Sequence, residues 1–191
     1  MAADFDKRSY WHERFTSETC TWIGSTRPPP GSSTRILHLG SGTSYLHNHL
    51  RRRGFLDVTN LDYEPLAAQR GRQLEDAAFD GDVKMRYVLA DATQLSPGRN
   101  LGAHSMFDLV IDKSTFDAVS CGGESPFLRM AHGIKAYMAP GAVWLSLSYS
   151  SSGFNVERLP FDVEVMAKLH TPKRKATDPD IYHWCYCLRP K

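Results

Sequence analysis

Apolar positions along this chain fall into short unbroken runs separated by amphipathic stretches. "RILHL" at 35–39 reads as a buried strand, and it feeds a glycine-bearing turn, "GSGTS", and then a helix, "SYLHNHLRRRG", that ends near Gly54. "DVTNLDY" is a second strand, and "EPLAAQRGRQLEDAAF" is a helix with Pro65 in its first turn, where the missing N–H costs nothing. "KMRYVLADAT" and "FDLVIDKS" are the third and fourth strands. "PFLRMAHGIKAYM" is a helix stopped by Pro140 and Gly141, and "GAVWLSLSYS" is the fifth strand. Strands apolar on both faces, alternating with helices, predict βαβ units and an α/β, mostly parallel sheet with helices on both sides.

The tail changes period. "PFDVEVMAKLHT" and "DIYHWCYCLRPK" alternate apolar and polar residues and leave no room for a helix between them, so they predict an antiparallel hairpin around "PKRKATDP". At the other end, three consecutive prolines in "STRPPPGSS" exclude helix and central strand. They mark a break between an aromatic-rich N-terminal segment and the rest. The expected organisation is a single domain with an N-terminal segment at 1–24, a linker at 25–34, a βα core at 35–150 and the hairpin at 151–191.

Composition narrows the class without changing the fold. With 191 residues, 41% of them hydrophobic, the chain suits one substantial core. Its 23 basic and 21 acidic residues nearly cancel, so neither stable nucleic-acid binding nor attraction to a membrane surface is expected. The N-terminus "MAADFDKRSYWHERF" carries acids where a secretory signal would be apolar, and a cytoplasmic monomer is the expectation. Cys20, Cys121, Cys185 and Cys187 lack a paired CxxC spacing. Cys185 and Cys187 lie two apart in a strand, side chains to one face, which favours reduced, partly buried thiols. His47 and His49 diverge by roughly 200° on a helix, so no metal site is expected there.

The chemistry-bearing residues gather at strand ends. "LGSGTS" lacks the third glycine of a dinucleotide fingerprint, and the motif alone leaves a cofactor site and a close-packed turn equally open. Spacing adds to it. The second strand ends in "LDYE", placing Asp62 where a carboxylate can accept from two ribose hydroxyls. The third ends in "ADAT", with Asp91 at the same edge, and the fourth in "DKSTFDAV", with Asp112 and Lys113. Ligands of open α/β sheets bind in that crevice, so acids after three successive strands form a constellation.

On "YWHERF", "TWIG", "LHLGSGTSYL", "VTNLDYEP", "LADATQL", "FDLVIDKSTFDAV" and "GAVWLSLS", the chain resembles the class I S-adenosylmethionine-dependent methyltransferases. The likeness is greatest to the group containing the eukaryotic elongation factor 1A lysine methyltransferases. The resemblance implies a Rossmann-like sheet of seven strands with the antiparallel pair at its C-terminal end, and S-adenosyl-L-methionine as methyl donor. It implies that Gly40, Ser41 and Gly42 pass beneath the methionine portion and that Asp62 grips the ribose. Tyr63 would lie beside the adenine, and Asp91 and Ala92 would read its edge. Trp11, Phe15 and Trp22 would fold over the cofactor, with Arg14 near its carboxylate and Lys113 adjoining it. Phe15 stands where relatives often have Tyr, so a hydroxyl contact there is missing. His38 occupies a position that need not be acidic in this group, and a structural role is expected for it.

A sulfonium donor is already activated, so such a protein mainly aligns the acceptor and removes water. For a lysine acceptor, Asp112 is expected to orient the amine or the N-terminal segment, the proton leaving to water; Asp112 and Lys113 are the candidate catalytic residues. No "NPPY"-type segment follows the fourth strand, which weighs against a nucleobase or glutamine acceptor. The expected acceptor is a protein lysine, with a small molecule as the alternative and a binding protein without turnover as a third reading. "RRR" at 51–53 and "KRK" at 173–175 read as solvated basic faces, the second being a place to meet an acidic protein surface or phosphate.

Overall fold

The computed structural model describes residues 33–102, 106–171, 173, 175 and 177–191. The chain runs β1 (Ile36–Leu39), α1 (Leu46–Arg52), β2 (Val58–Asp62), α2 (Pro65–Ala78), β3 (Arg86–Leu89), a 3-10 turn (Ala92–Gln94) and β4 (Phe107–Lys113). It continues with α3 (Thr115–Ser120), α4 (Glu124–Lys135), β5 (Met138–Ser148), β6 (Phe161–His170) and β7 (Tyr182–Pro190). One seven-stranded sheet results, in the order β3-β2-β1-β4-β5-β7-β6. The pairs among the first five strands are parallel, and β7 inserts antiparallel between β5 and β6. This is the architecture expected from the run of strands and the alternating tail.

Burial explains both periods. β1 and β2 are buried at every position, as strands covered on both faces must be. Alternate residues feed two cores. Leu37, Leu39, Val110, Trp144 and Leu188 join Phe116, Phe127, Phe154 and Phe161 on one face. Ile36, Val58, Leu109, Ile111, Leu145 and Cys187 join Leu46 and Leu50 on the other. In the first core the rings of Phe116 and Phe154 stack at 3.9 Å between centroids, and Trp144 meets Phe154 edge-on at 5.7 Å.

Three local readings of the sequence are corrected. α4 ends at Lys135, before Pro140 and Gly141, because Phe107 N already donates to Tyr137 O at 2.8 Å and draws the chain into β5. Pro140 and Gly141 instead sit in a register shift between β4 and β5, Gly141 at φ +78°. A separate short helix, α3, occupies "TFDAVS", where the sequence reading stayed with a strand end. The "RRR" run is not one solvated face. Arg51 is buried, donating to Glu75 Oε1 at 2.6 Å and pairing with Asp82 at 2.6 Å, while Arg52 and Arg53 remain exposed. Glu75, wholly buried, also accepts from Lys84 N, Met85 N and the Tyr87 hydroxyl, so its charge is fully partnered.

The thiols of Cys185 and Cys187 are free and buried, and burial pushes the Cys185 pKa up to about 12. Among the described residues no cluster suited to a metal ion occurs, and no helix is long and apolar enough to cross a membrane.

Candidate functional site

Parallel strands β1, β2 and β4 end side by side, with Leu39 opposite Leu61 on one flank and opposite Asp112 on the other. Chain reversal right after β1 requires a tight turn, and Gly40 and Gly42 supply it at φ +53° and +52°. Gly40 has a second reason to be glycine. A Cβ there would lie 2.2 Å from Thr115 Oγ1, whose hydroxyl donates to Leu39 O at 3.0 Å. The turn is then fastened to β2: Ser41 N donates to Leu61 O at 3.1 Å and Gly42 N to Asp62 Oδ2 at 2.8 Å.

Asp62 is buried and its other oxygen, Oδ1, accepts from Glu64 N at 2.9 Å. Each carboxylate oxygen has one backbone donor and keeps lone-pair capacity for a further one. That donor set suits a vicinal diol held by a carboxylate fixed in place. A cleft of about 240 Å³ opens here, lined by Gly40, Asp62, Tyr63, Asp91, Ala92, Lys113 and their neighbours Ser114, Thr115 and Val119. Tyr63 stands at its rim, 77% exposed. Six of the residues named from the sequence are therefore brought to one cavity. Ser41 and Gly42 lie behind it, the first buried, the second holding Asp62. Trp11, Arg14, Phe15 and Trp22 fall outside the described residues.

Asp91 has a structural employment that its position alone did not disclose. Its carboxylate accepts from Thr93 N and Thr93 Oγ1, both at 2.8 Å, and from Gln94 Nε2 at 2.8 Å, closing the 3-10 turn that presents Ala92 to the cleft. Partial burial raises its pKa, but these hydrogen bonds outweigh burial and hold the group below its ordinary value.

Asp112, expected to orient an acceptor amine or the N-terminal segment, is held by contacts within the fold. It is 0% exposed, and both oxygens are engaged: Oδ1 accepts from Thr115 N and Phe116 N at 3.1 Å, Oδ2 from Trp144 Nε1 at 2.8 Å. Burial pushes its pKa up to about 6, partly offset by hydrogen bonding from Ser146, Phe116 N and Trp144. The carboxylate thus caps the start of α3 and pins the Trp144 ring. Its contacts assign it to positioning the post-β4 turn and give no support to the expected contact with an acceptor.

The residue after Lys113 is a feature the sequence reading passed over. Ser114 adopts φ +61°, a left-handed conformation unusual for a residue with a Cβ, and its N donates to Leu147 O at 2.8 Å. Its hydroxyl is buried without a hydrogen-bond partner while the residue lines the cleft. Strain of this kind gathers at working sites. "DKST" carries no sequence signal for it, since Gly or Asn would be the usual marker.

His38 is structural, as expected: Nδ1 lies 2.9 Å from Asn60 Oδ1 deep between β1 and β2, and burial lowers its pKa to about 4. Asn60 Nδ2 donates to Arg86 O, so Oδ1 is the acceptor and His38 carries its proton on Nδ1.

With this geometry, the chain matches a family described as "Methyltransferase domain" over residues 37–129. Methyltransferase srdJ of Neurospora crassa is 54% identical over 200 residues, covering 98% of this chain and 85% of that protein. EEF1A lysine methyltransferase 4 of Bos taurus is 30% identical over 139 residues, covering 65% of this chain and 50% of the bovine protein. Among solved structures, the N-methyltransferase NodS from Bradyrhizobium japonicum in complex with S-adenosyl-l-homocysteine superposes with a TM-score of 0.69 at 15% identity, over 100% of this chain and 94% of that one. At that identity the likeness is one of fold.

Proposed function

The chain belongs to the class I S-adenosylmethionine-dependent methyltransferases, and from that premise we propose that it methylates the side-chain amine of a protein lysine. Bound S-adenosylmethionine supplies a methyl group activated on a sulfonium. The residues present fit that molecule: a buried carboxylate with capacity for two ribose hydroxyls, a glycine turn with no Cβ in the way, and a buried hydroxyl without a partner on Ser114, which lines the cleft. In this reading Asp62 holds the ribose, while Tyr63, Asp91 and Ala92 border the adenine. Gly40, with Gly42 holding the turn, leaves room for the methionine portion, and Lys113 and Ser114 face the reacting end. Asp112 acts through α3 by keeping that end in place.

The observation that carries the lysine reading is the 30% identity to a lysine methyltransferase over 65% of the chain. The connection from β5 to β6, residues 149–160, is short and supplies little chain to wall off an acceptor pocket. The proton of the arriving ammonium leaves to water, since Asp112 is buried with both oxygens engaged.

A small-molecule acceptor is the second reading, favoured by the Asp112 geometry. The one carboxylate that the sequence offered for a lysine ammonium is spent on Thr115, Phe116 and Trp144.

Two measurements test this in order. Calorimetric titration with S-adenosylhomocysteine should show saturable binding that Asp62→Ala weakens by at least tenfold. A folded wild type that does not bind would remove the enzymatic reading of the site. Radiolabelled S-adenosylmethionine is then incubated with cell lysate before and after desalting, and with purified elongation factor 1A. Label surviving desalting on a protein band supports a protein acceptor. Label lost with the small molecules moves the second reading to first place.

A further inference from the structure

A second cavity lies outside the cofactor cleft. It is a groove of about 880 Å³ between α4 and the segment that follows the 3-10 turn. Its floor is apolar, with Leu95, Pro97 and Leu128, and α4 can approach this closely because Gly133 has no Cβ: one there would lie 2.9 Å from Leu95 Cβ. Its walls are basic. Arg99, Arg129 and Arg158 come from three separate segments, and His132 joins them, against the single carboxylate of Glu124. All five are exposed. Arg129 reaches Ser125 Oγ at 2.9 Å, and Arg158 stands 3.7 Å from Glu124. In a chain of net charge +2, so local a gathering of guanidiniums is a feature of this groove rather than of the whole surface.

The groove adjoins the cleft. Thr93 and Gln94 form part of its wall and belong to the turn that Asp91 closes and that presents Ala92 to the cofactor, and Arg129's charge acts on Asp91. It follows α4, whose 12 residues extend about 18 Å. That is the reach of an extended peptide of about five or six residues, or of a helix of about three turns.

We propose that this groove docks an acidic segment of the acceptor protein, carboxylates on the three guanidiniums and apolar side chains on Pro97 and Leu128. The inference rests on the protein-acceptor reading and adds to it where the partner is gripped. Guanidiniums suit carboxylates through paired N–H donors, and the apolar floor distinguishes a peptide from a bare polyanion.

The test is fluorescence anisotropy with a fluorescein-labelled peptide of repeated Glu-Glu-Leu triplets, on the full chain. Saturable binding is expected, weakened at least tenfold by Arg99→Glu with Arg158→Glu and also by roughly 0.5 M salt. This variant leaves Arg129 in place, so calorimetric binding of S-adenosylhomocysteine should match wild type and certify the fold. Wild-type affinity in the variant, no peptide binding at all, or tighter binding of oligothymidylate or anionic vesicles than of the peptide would each overturn the proposal. Loss of cofactor binding in wild type with peptide binding retained would instead sink the methyltransferase reading of the cleft and leave the groove standing.

Discussion

At the scale of single residues, two backbone positions define the site and respond oppositely to substitution. Gly40→Ala adds a methyl 2.2 Å from Thr115 Oγ1 at a φ of +53°, so both space and conformation oppose it. We expect a loss of about 1–3 kcal/mol in urea denaturation, together with weakened S-adenosylhomocysteine binding. Ser114→Gly relieves left-handed strain and should gain about 1 kcal/mol by the same method. If the Ser114 hydroxyl faces the bound cofactor or acceptor, that more stable protein should turn over more slowly. A stabilised variant of undiminished activity would confine Ser114 to a backbone role.

At the scale of elements, the sheet's helical cover is fastened by one buried ionic knot. Arg51 on α1 meets Glu75 on α2, and Glu75 in turn accepts from the backbone entering β3 and from Tyr87 within it. Arg51→Met would leave a fully buried carboxylate short of its cation. The expected cost is about 3–5 kcal/mol, read as a fall in the denaturation midpoint. Replacing Arg52 or Arg53, both exposed, should change stability by no more than about 0.5 kcal/mol. Equal effects at all three positions would contradict the buried network. The contrast matters because "RRR" offers three like residues in a row, and only the helix phase and the partners across the fold decide which one turns inward.

For the whole molecule, buried titrating groups set the pH dependence. His38 and His47 have pKa values lowered to about 4, chiefly by burial, against 6.5 when unfolded. Their neutral forms belong to the fold, so the stability they contribute is complete above about pH 6.5 and lost as pH falls towards 4, about 3 kcal/mol for each. Asp112 opposes them. Its pKa is raised from 3.8 to about 6, so its contribution is complete below 3.8 and lost as pH rises through 6. Two histidines outweigh one aspartate, and net stability should fall between pH 6.5 and 4.5. Urea midpoints across that range, compared with His38→Gln, check it: the variant's decline should be shallower. Parallel declines would show that His38 takes up no proton on unfolding.

What the sequence determined by itself was periodicity and edge chemistry. Buried parallel strands need apolar residues on both faces, and a two-sided hairpin needs alternation, so "RILHL" and "DIYHWCYCLRPK" declared their places. Asp62, Asp91, Gly40 and Lys113 were legible because strand ends in such a sheet converge on one edge, and the structure gathers them around one cleft. Only the tertiary structure decided where each side chain pointed. Asp112 sits at the same edge, yet Trp144 from β5 and the first N–H groups of α3 draw it inward. Ser114 holds a left-handed conformation while its N–H bonds Leu147 across the sheet, and the arginine groove needs three segments brought together by packing. The reason is physical: period and composition are local properties of the chain, while the partners of a buried polar group come from wherever the fold delivers them.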